Sequence, residues 1–161
     1  MIGVYMPNWI GDSVMALSFL ARCREMNSEQ RILAVAREWV SPILKSSSLV
    51  DELFIISAGE DRGVSGVTAI GRLLQDHKLE NFYLLSGSWR CAYLAWLSGA
   101  SERIGFSGQG RSPLLTEAHP PLRGKMHRSE RYLSLIGAGT GVAEDAVIHL
   151  NSDETEAAAA H

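Results

Sequence analysis

Residues 2–26 read IGVYMPNWIGDSVMALSFLARCREM, and this stretch decides the fold. Residues 2–6 are an apolar run that begins almost at the terminus and stops at Pro7, the pattern of a strand buried on both faces. Pro7-Asn8-Trp9-Ile10-Gly11-Asp12 follows as a compact loop bracketed by proline and glycine. Residues 13–26 then read as a helix, with Val14, Leu17 and Ala21 on one face and Asp12 or Ser13 available as its N-cap. The opening is therefore strand, glycine-containing loop and helix, the start of an alternating β/α chain.

Downstream the unit repeats. Residues 31–36 (RILAVA) are strand-like; 38–45 can be helical only if Pro42 lies in the first turn; 52–56 (ELFII) form a third strand. Residues 67–77 carry Ile70, Leu73 and Leu74 at helical spacing, and 81–85 (NFYLL) return to strand. After the polar turn Ser86-Gly87-Ser88, residues 89–97 (WRCAYLAWL) are apolar nearly all round. That pattern reads as a helix enclosed between sheet and neighbour, with a membrane-surface helix as the alternative. Residues 103–106 (RIGF) make a fifth short strand, 107–125 a glycine- and proline-rich excursion over the surface, and 127–136 a last helix ended by the glycines of 137–141. Alternating strands and helices imply a parallel sheet covered on both faces.

Composition narrows the function classes. At 161 residues the chain is sized for one domain, and 46% hydrophobic with 20% charged residues is the balance of a globular core. A net charge of −3 gives no reason to expect a general nucleic-acid binder. The charge is uneven, however: residues 101–131 hold six basic side chains against three acidic ones, leaving the rest of the chain at −6. Cys23 and Cys91 have no metal-ligand spacing and read as buried reduced thiols, with a single disulfide left open. His77, His119, His127 and His149 likewise show no metal spacing and no nucleophile partner. The sequence lacks a basic, apolar leader and any apolar window near 18 residues, which together read as a cytoplasmic chain. It also lacks a G-x-S-x-G elbow and a Walker A loop. The glycines of 137–141 follow a helix rather than a strand, and Val142 stands where a dinucleotide fingerprint needs a small residue.

In open parallel sheets ligands collect at the carboxyl ends of the strands, where helix N-termini present free N–H groups. The loop at 7–12 lies at such an edge. Gly11 lets backbone approach a ligand, and Asp12 puts a carboxylate beside a helix terminus, where it can cap the helix or act as a base toward a hydroxyl.

Residues 6–15, Met6-Pro7-Asn8-Trp9-Ile10-Gly11-Asp12-Ser13-Val14-Met15, closely resemble the start of the ADP-heptose:lipopolysaccharide heptosyltransferases of glycosyltransferase family 9, whose first strand runs into a Pro-x-Trp-[Val/Ile]-Gly-Asp-x-Val-Met loop. Further resemblances follow in order. Residues 33–56 resemble the family's second strand, helix and third strand. Residues 84–106, with Ser86-Gly87-Ser88-Trp89-Arg90, Gly99 and Arg103-Ile104-Gly105-Phe106, resemble its Asn-Ser-x-[Lys/Arg] to Arg-x-Gly-aromatic stretch. Residues 127–136, with Arg131-Tyr132-Leu133, resemble its Arg-Tyr-x-x-Leu helix.

The resemblance implies an α/β fold, a Rossmann-like parallel sheet with helices on both faces, corresponding to the amino-terminal half of a GT-B glycosyltransferase. It implies residues 1–150 as the acceptor-side domain and 151–161 as an acidic and alanine-rich tail where an interdomain linker begins, with the donor-binding domain without counterpart. The reaction expected is inverting transfer of heptose from ADP-heptose, without a metal or other cofactor, to a phosphorylated, lipid-linked saccharide acceptor of the lipopolysaccharide inner core. Asp12 falls on the family's catalytic base. Asn8, Trp9 and Gly11 would shape the cleft, and Arg90, Arg103, Arg111 and Lys125 would hold the anionic acceptor. The partners expected are that acceptor, a carboxyl-terminal GT-B domain or a dimer partner, and a peripheral contact with the inner membrane. A non-catalytic Rossmann-like module that binds an anionic ligand or a protein is the alternative function.

Overall fold

The computed structural model describes residues 1–121 and 127–137. Its elements are β1 (Ile2–Tyr5), α1 (Ile10–Met26), β2 (Ile32–Arg37), α2 (Ser41–Ser47), β3 (Glu52–Ile56), α3 (Gly63–Gln75), β4 (Asn81–Leu84), α4 (Trp89–Leu97), β5 (Glu102–Phe106), β6 (Glu117–His119) and α5 (Arg128–Leu133). The six strands form one sheet in the order β3-β2-β1-β4-β5-β6, every pair parallel. The chain winds outward one way through β2 and β3, then returns across β1 to build β4, β5 and β6. The winding reverses between β1 and β4, where Val4 lies beside Ala34 on one side and Tyr83 on the other.

Each β1 residue is buried, and the strand's two faces feed two cores. Ile2, Val4 and Met6 pack with Leu17, Phe19, Leu20 and Cys23 of α1 and with Tyr132 and Leu135. Tyr5, with Leu33 and Val35 of β2, packs with Leu74 of α3 and with Cys91 and Leu94 of α4. Both cysteines are free and buried, one in each core. Pro42 lies in the first turn of α2, the one position where a missing N–H costs the helix nothing.

Several expectations need correction. Helix α1 starts at Ile10 rather than 13, and its N-cap is the extended residue Trp9, not Asp12 or Ser13. Ser13 sits inside the helix, where its hydroxyl donates to the carbonyls of Pro7 and Trp9 at 3.0 Å each and ties the loop back. The buried stripe is accordingly Ser13, Ala16, Leu17, Phe19, Leu20 and Cys23, while Val14 is exposed. Helix α3 begins four residues before the periodicity suggests, because its glycines mark close approach rather than helix breaking. A Cβ on Gly66 would stand 2.2 Å from the Glu60 carbonyl oxygen, and one on Gly71 would stand 2.5 Å from Leu97 Cβ.

Helix α4 is not enclosed: Cys91, Ala92, Leu94 and Ala95 face inward, but Trp89 and Trp96 are exposed, since only one side of the helix meets the sheet. The stretch 107–125 is more than an excursion; it carries β6, which pairs with β5 through Ile104↔Glu117 and Phe106↔His119. No helix among the described residues is long and apolar enough to cross a membrane.

Candidate functional site at the carboxyl edge of the sheet

The winding reversal places two loops side by side at the carboxyl ends of β1 and β4, residues 6–9 and 85–88, and a crevice at that position is where doubly wound sheets bind ligands. From the first loop the chain enters α1, which no side chain caps. The first backbone bond there runs from Ser13 N–H to the Trp9 carbonyl at 2.9 Å, so the N–H groups of Ile10, Gly11 and Asp12 face outward with the positive end of the macrodipole. Space around them is open. A Cβ on Gly11 would meet nothing within 4 Å, and Trp9 is 77% exposed.

Asp12 lies in this first turn with its side chain 22% exposed. Its Oδ2 accepts a hydrogen bond from Arg128 Nη1 at 2.8 Å, a contact between positions 116 residues apart in the chain. Arg128 opens α5, the helix that packs along α1, and is itself half in solvent. One turn further on, Tyr132 is buried; that burial first, and the Asp12 charge second, push its phenol above the usual range.

A second group of charges spans the ends of β2, β3 and β4. Asp61, in the loop after β3, is buried with its side chain only 8% exposed. Its two oxygens accept from Arg37 Nη1 at 3.0 Å and Nη2 at 2.5 Å, and Arg90 Nη1 of α4 donates to Oδ2 at 3.3 Å. The hydrogen bond from Arg37 outweighs desolvation and holds the Asp61 carboxyl below the ordinary value of 3.8; the same bond raises Arg37. The Arg37 guanidinium lies 5.9 Å from the centroid of the Trp39 ring, and Trp39 Nε1 donates to the Asn8 carbonyl at 2.8 Å. Asn8, Trp39, Arg37, Asp61 and Arg90 therefore form one connected wall beside the Asp12 turn. Asn8 Oδ1 is buried there without a hydrogen-bond partner among the described residues.

Of the residues chosen from sequence, Asp12, Asn8, Trp9, Gly11 and Arg90 come together at this edge. Arg103 does not. It lies at the amino end of β5, the opposite end of the sheet, and its Nε and Nη1 donate to the carbonyls of Leu114 at 2.8 Å and Ala100 at 2.6 Å. Arg111 is near the edge but only 1% exposed. Its Nε donates to the Phe106 carbonyl at 2.7 Å and its Nη1 to the Ser86 carbonyl at 2.6 Å, so it pins the loop after β4 to the end of β5 instead of offering a surface charge. Lys125, His149 and residues 138–141 lie outside the described residues.

Arg37, Trp39, Asp61 and Arg128 are the members that sequence reasoning missed. Arg37 at the carboxyl end of a predicted strand was a usable signal. The pairing of Asp12 with Arg128 had none, because nothing local marks two residues on helices that meet only in the folded chain.

No family model matches the chain. It is 25% identical over 112 residues to lipopolysaccharide heptosyltransferase 2 of Escherichia coli and 24% identical over 113 residues to that of Salmonella typhimurium, covering 69% and 70% of this chain. The chain spans about a third of those relatives, 32% of each. Among solved structures, a glycosyl transferase family 9 protein from Veillonella parvula superposes with TM-score 0.82 at 22% identity, covering 93% of this chain and 44% of that one. The ADP-heptose lipopolysaccharide heptosyltransferase II of E. coli superposes with TM-score 0.73 at 24% identity, covering 83% and 39%. Both likenesses show the fold. The chain is thus a distant homologue of the glycosyltransferase family 9 heptosyltransferases, aligned with their amino-terminal domain and sharing its Rossmann-like half of the GT-B architecture.

Proposed function

We propose that this chain is the acceptor-side domain of a family 9 glycosyltransferase and that Asp12 is its catalytic base. The observation that carries the proposal is the position of Asp12: a part-exposed carboxylate in the open first turn of α1, at the winding reversal, paired through Oδ2 alone to Arg128. Oδ1 is then the oxygen available to an acceptor hydroxyl. As that hydroxyl oxygen attacks the anomeric carbon of an ADP-activated heptose, its proton passes to Asp12 and the bond to the departing ADP breaks. The outward N–H groups of Ile10 and Gly11 and the Arg128 guanidinium stabilise negative charge in the same space.

The acceptor in this reading is a phosphorylated, lipid-linked saccharide of the lipopolysaccharide core. Arg90, held at the edge by Asp61, supplies one anion contact and Trp9 an apolar wall. The ADP of the donor is held by a second Rossmann-like domain outside these 161 residues, so transfer needs both.

The test joins the chain to the donor domain of a relative and measures transfer from ADP-heptose. Asp12→Asn is expected to lower kcat by about 10²–10⁴, the usual contribution of a general base, with acceptor binding and thermal stability close to wild type. Wild-type turnover in that variant would overturn the role of Asp12, and absence of transfer by the unmutated fusion would favour the non-catalytic binding module. For the 161-residue chain alone, calorimetry is expected to show weak ADP-heptose binding, and tight binding would refute a donor site elsewhere.

A further inference from the structure

Trp39 has no part in the chemistry proposed for Asp12, yet the fold holds its ring in one orientation at the crevice. It lies in the single turn Glu38–Val40, where the carboxyl end of β2 passes into α2. Val40 anchors that turn by full burial in the core shared with α1, and Ser41 Oγ closes it by donating to the Glu38 carbonyl at 2.8 Å. The ring itself is fixed twice. Its Nε1 donates to the Asn8 carbonyl at 2.8 Å, and the Arg37 guanidinium lies over it, 5.9 Å from the centroid. Trp39 is nevertheless 48% exposed, so an indole with one edge bonded and one face against a guanidinium turns its other face to solvent. Trp89 and Trp96 differ, since both stack on Tyr93.

The surroundings of that face are polar but hold no unspent cation. Arg37 gives Nη1 and Nη2 to buried Asp61, so the positive charge behind Trp39 is already neutralised. Glu38, the preceding residue, is exposed, and a carboxylate there accepts from a hydroxyl but repels a phosphate. Asn8 is part-exposed, and its Oδ1 has no partner among the described residues. Asp12 follows Asn8 by four residues, across the loop and the first turn of α1, so the tether of the ring and the carboxylate belong to one short piece of chain.

We propose that Trp39 is the platform on which an uncharged sugar ring of the acceptor stacks beside Asp12. A pyranose has a face of C–H groups, apolar and slightly positive, and edges of hydroxyls. The C–H face suits the electron-rich face of an indole, and the hydroxyl edges suit an amide and a carboxylate. A phosphate gains nothing from the neutralised Arg37 and is repelled by Glu38, so the Trp39 end of the crevice takes a part of the acceptor that bears no charge. Because the indole is fixed before binding, holding it against the sugar costs little further side-chain entropy. The assignment rests on the acceptor-side reading of this edge and adds which part of the acceptor meets β2. It makes Trp39 a binding residue with no share in the proton transfer.

The probe is the phosphorylated core oligosaccharide released from lipopolysaccharide by deacylation. It is titrated into the 161-residue chain and followed by calorimetry and proton NMR, with circular dichroism confirming that each variant is folded. Wild type is expected to bind and to move C–H protons of a sugar ring upfield through the indole ring current. Trp39→Phe keeps an aromatic face but loses the Nε1 donor and should stay within about threefold of wild type, whereas Trp39→Leu should weaken binding by about tenfold and abolish the upfield shift. In the donor-domain fusion, Trp39→Leu should raise the acceptor KM by about tenfold, with kcat and the KM for ADP-heptose close to wild type. Equal losses in Trp39→Phe and Trp39→Leu would reduce Trp39 to a tether for the Asn8 loop and overturn the proposal. So would the absence of any shift with wild type, an upfield shift that persists in Trp39→Leu, or a rise in the KM for ADP-heptose instead, which would turn the ring toward the donor domain. A fusion that transfers and keeps its acceptor KM in Trp39→Leu refutes the platform alone; an unmutated fusion without transfer refutes the acceptor-side reading and the platform with it.

Discussion

Replacing Asp61 with Asn removes the one negative charge that holds Arg37 and Arg90 together while preserving side-chain volume. Arg37 is the side chain that suffers, since it is 13% exposed and both carboxylate oxygens accept from it, whereas Arg90 is 56% exposed and rehydrates readily. Breaking a buried pair by deleting one partner costs about 3–5 kcal/mol. Partial access of Arg37 to water lowers the expectation to about 2–4 kcal/mol, a fall in Tm of roughly 5–15 °C for a domain of this size.

The effect has a pH signature. Asp61 is depressed below 3.8 in the folded chain, so its contribution is fully present above the unfolded value and is lost as pH falls through the folded one. The gap between wild type and Asp61→Asn should therefore be full at neutral pH and close as acid is added below about pH 4. Urea denaturation followed by far-UV circular dichroism at a series of pH values measures it. Arg37→Met added to Asp61→Asn should recover part of the loss by removing the stranded charge. A neutral-pH difference under about 0.5 kcal/mol, or a gap unchanged in acid, would refute the reasoning.

Other substitutions test other parts of the fold and site. Arg128→Ala should change stability by less than about 1 kcal/mol, because the pair with Asp12 is largely solvated, yet lower transfer in a donor-domain fusion; unfolding curves and initial rates separate the two effects. Arg111→Met should destabilise by about 3–5 kcal/mol, leaving the Phe106 and Ser86 carbonyls without their donor, and thermal melts would show it. Gly71→Ala should cost about 1–3 kcal/mol by driving a methyl group into Leu97, read as a lower urea midpoint and a changed near-UV signal from the neighbouring tryptophans.

Apolar alternation, proline and glycine were enough to read β1 through β5, the intervening helices and a parallel sheet covered on both faces, because those signals are local and repeat with the period of the element that produces them. The edge loop with Asp12 was legible for the same reason, as a strand end followed by a helix start. Three things were decided only by tertiary packing. Strand β6 is three residues of weak propensity, and its pairing with β5 supplies what its sequence lacks. Arg103 and Arg111 look alike as basic residues in a basic segment, but one is spent at the far end of the sheet and the other is buried under carbonyls that need its donors. Asp12 meets Arg128 because α5 packs along α1, and Asp61 gathers arginines from β2 and α4 because parallel strands deliver their ends to one edge. Which charges meet and which are exposed depends on contacts between residues far apart in the chain, and these exist only once the sheet has closed around its two cores.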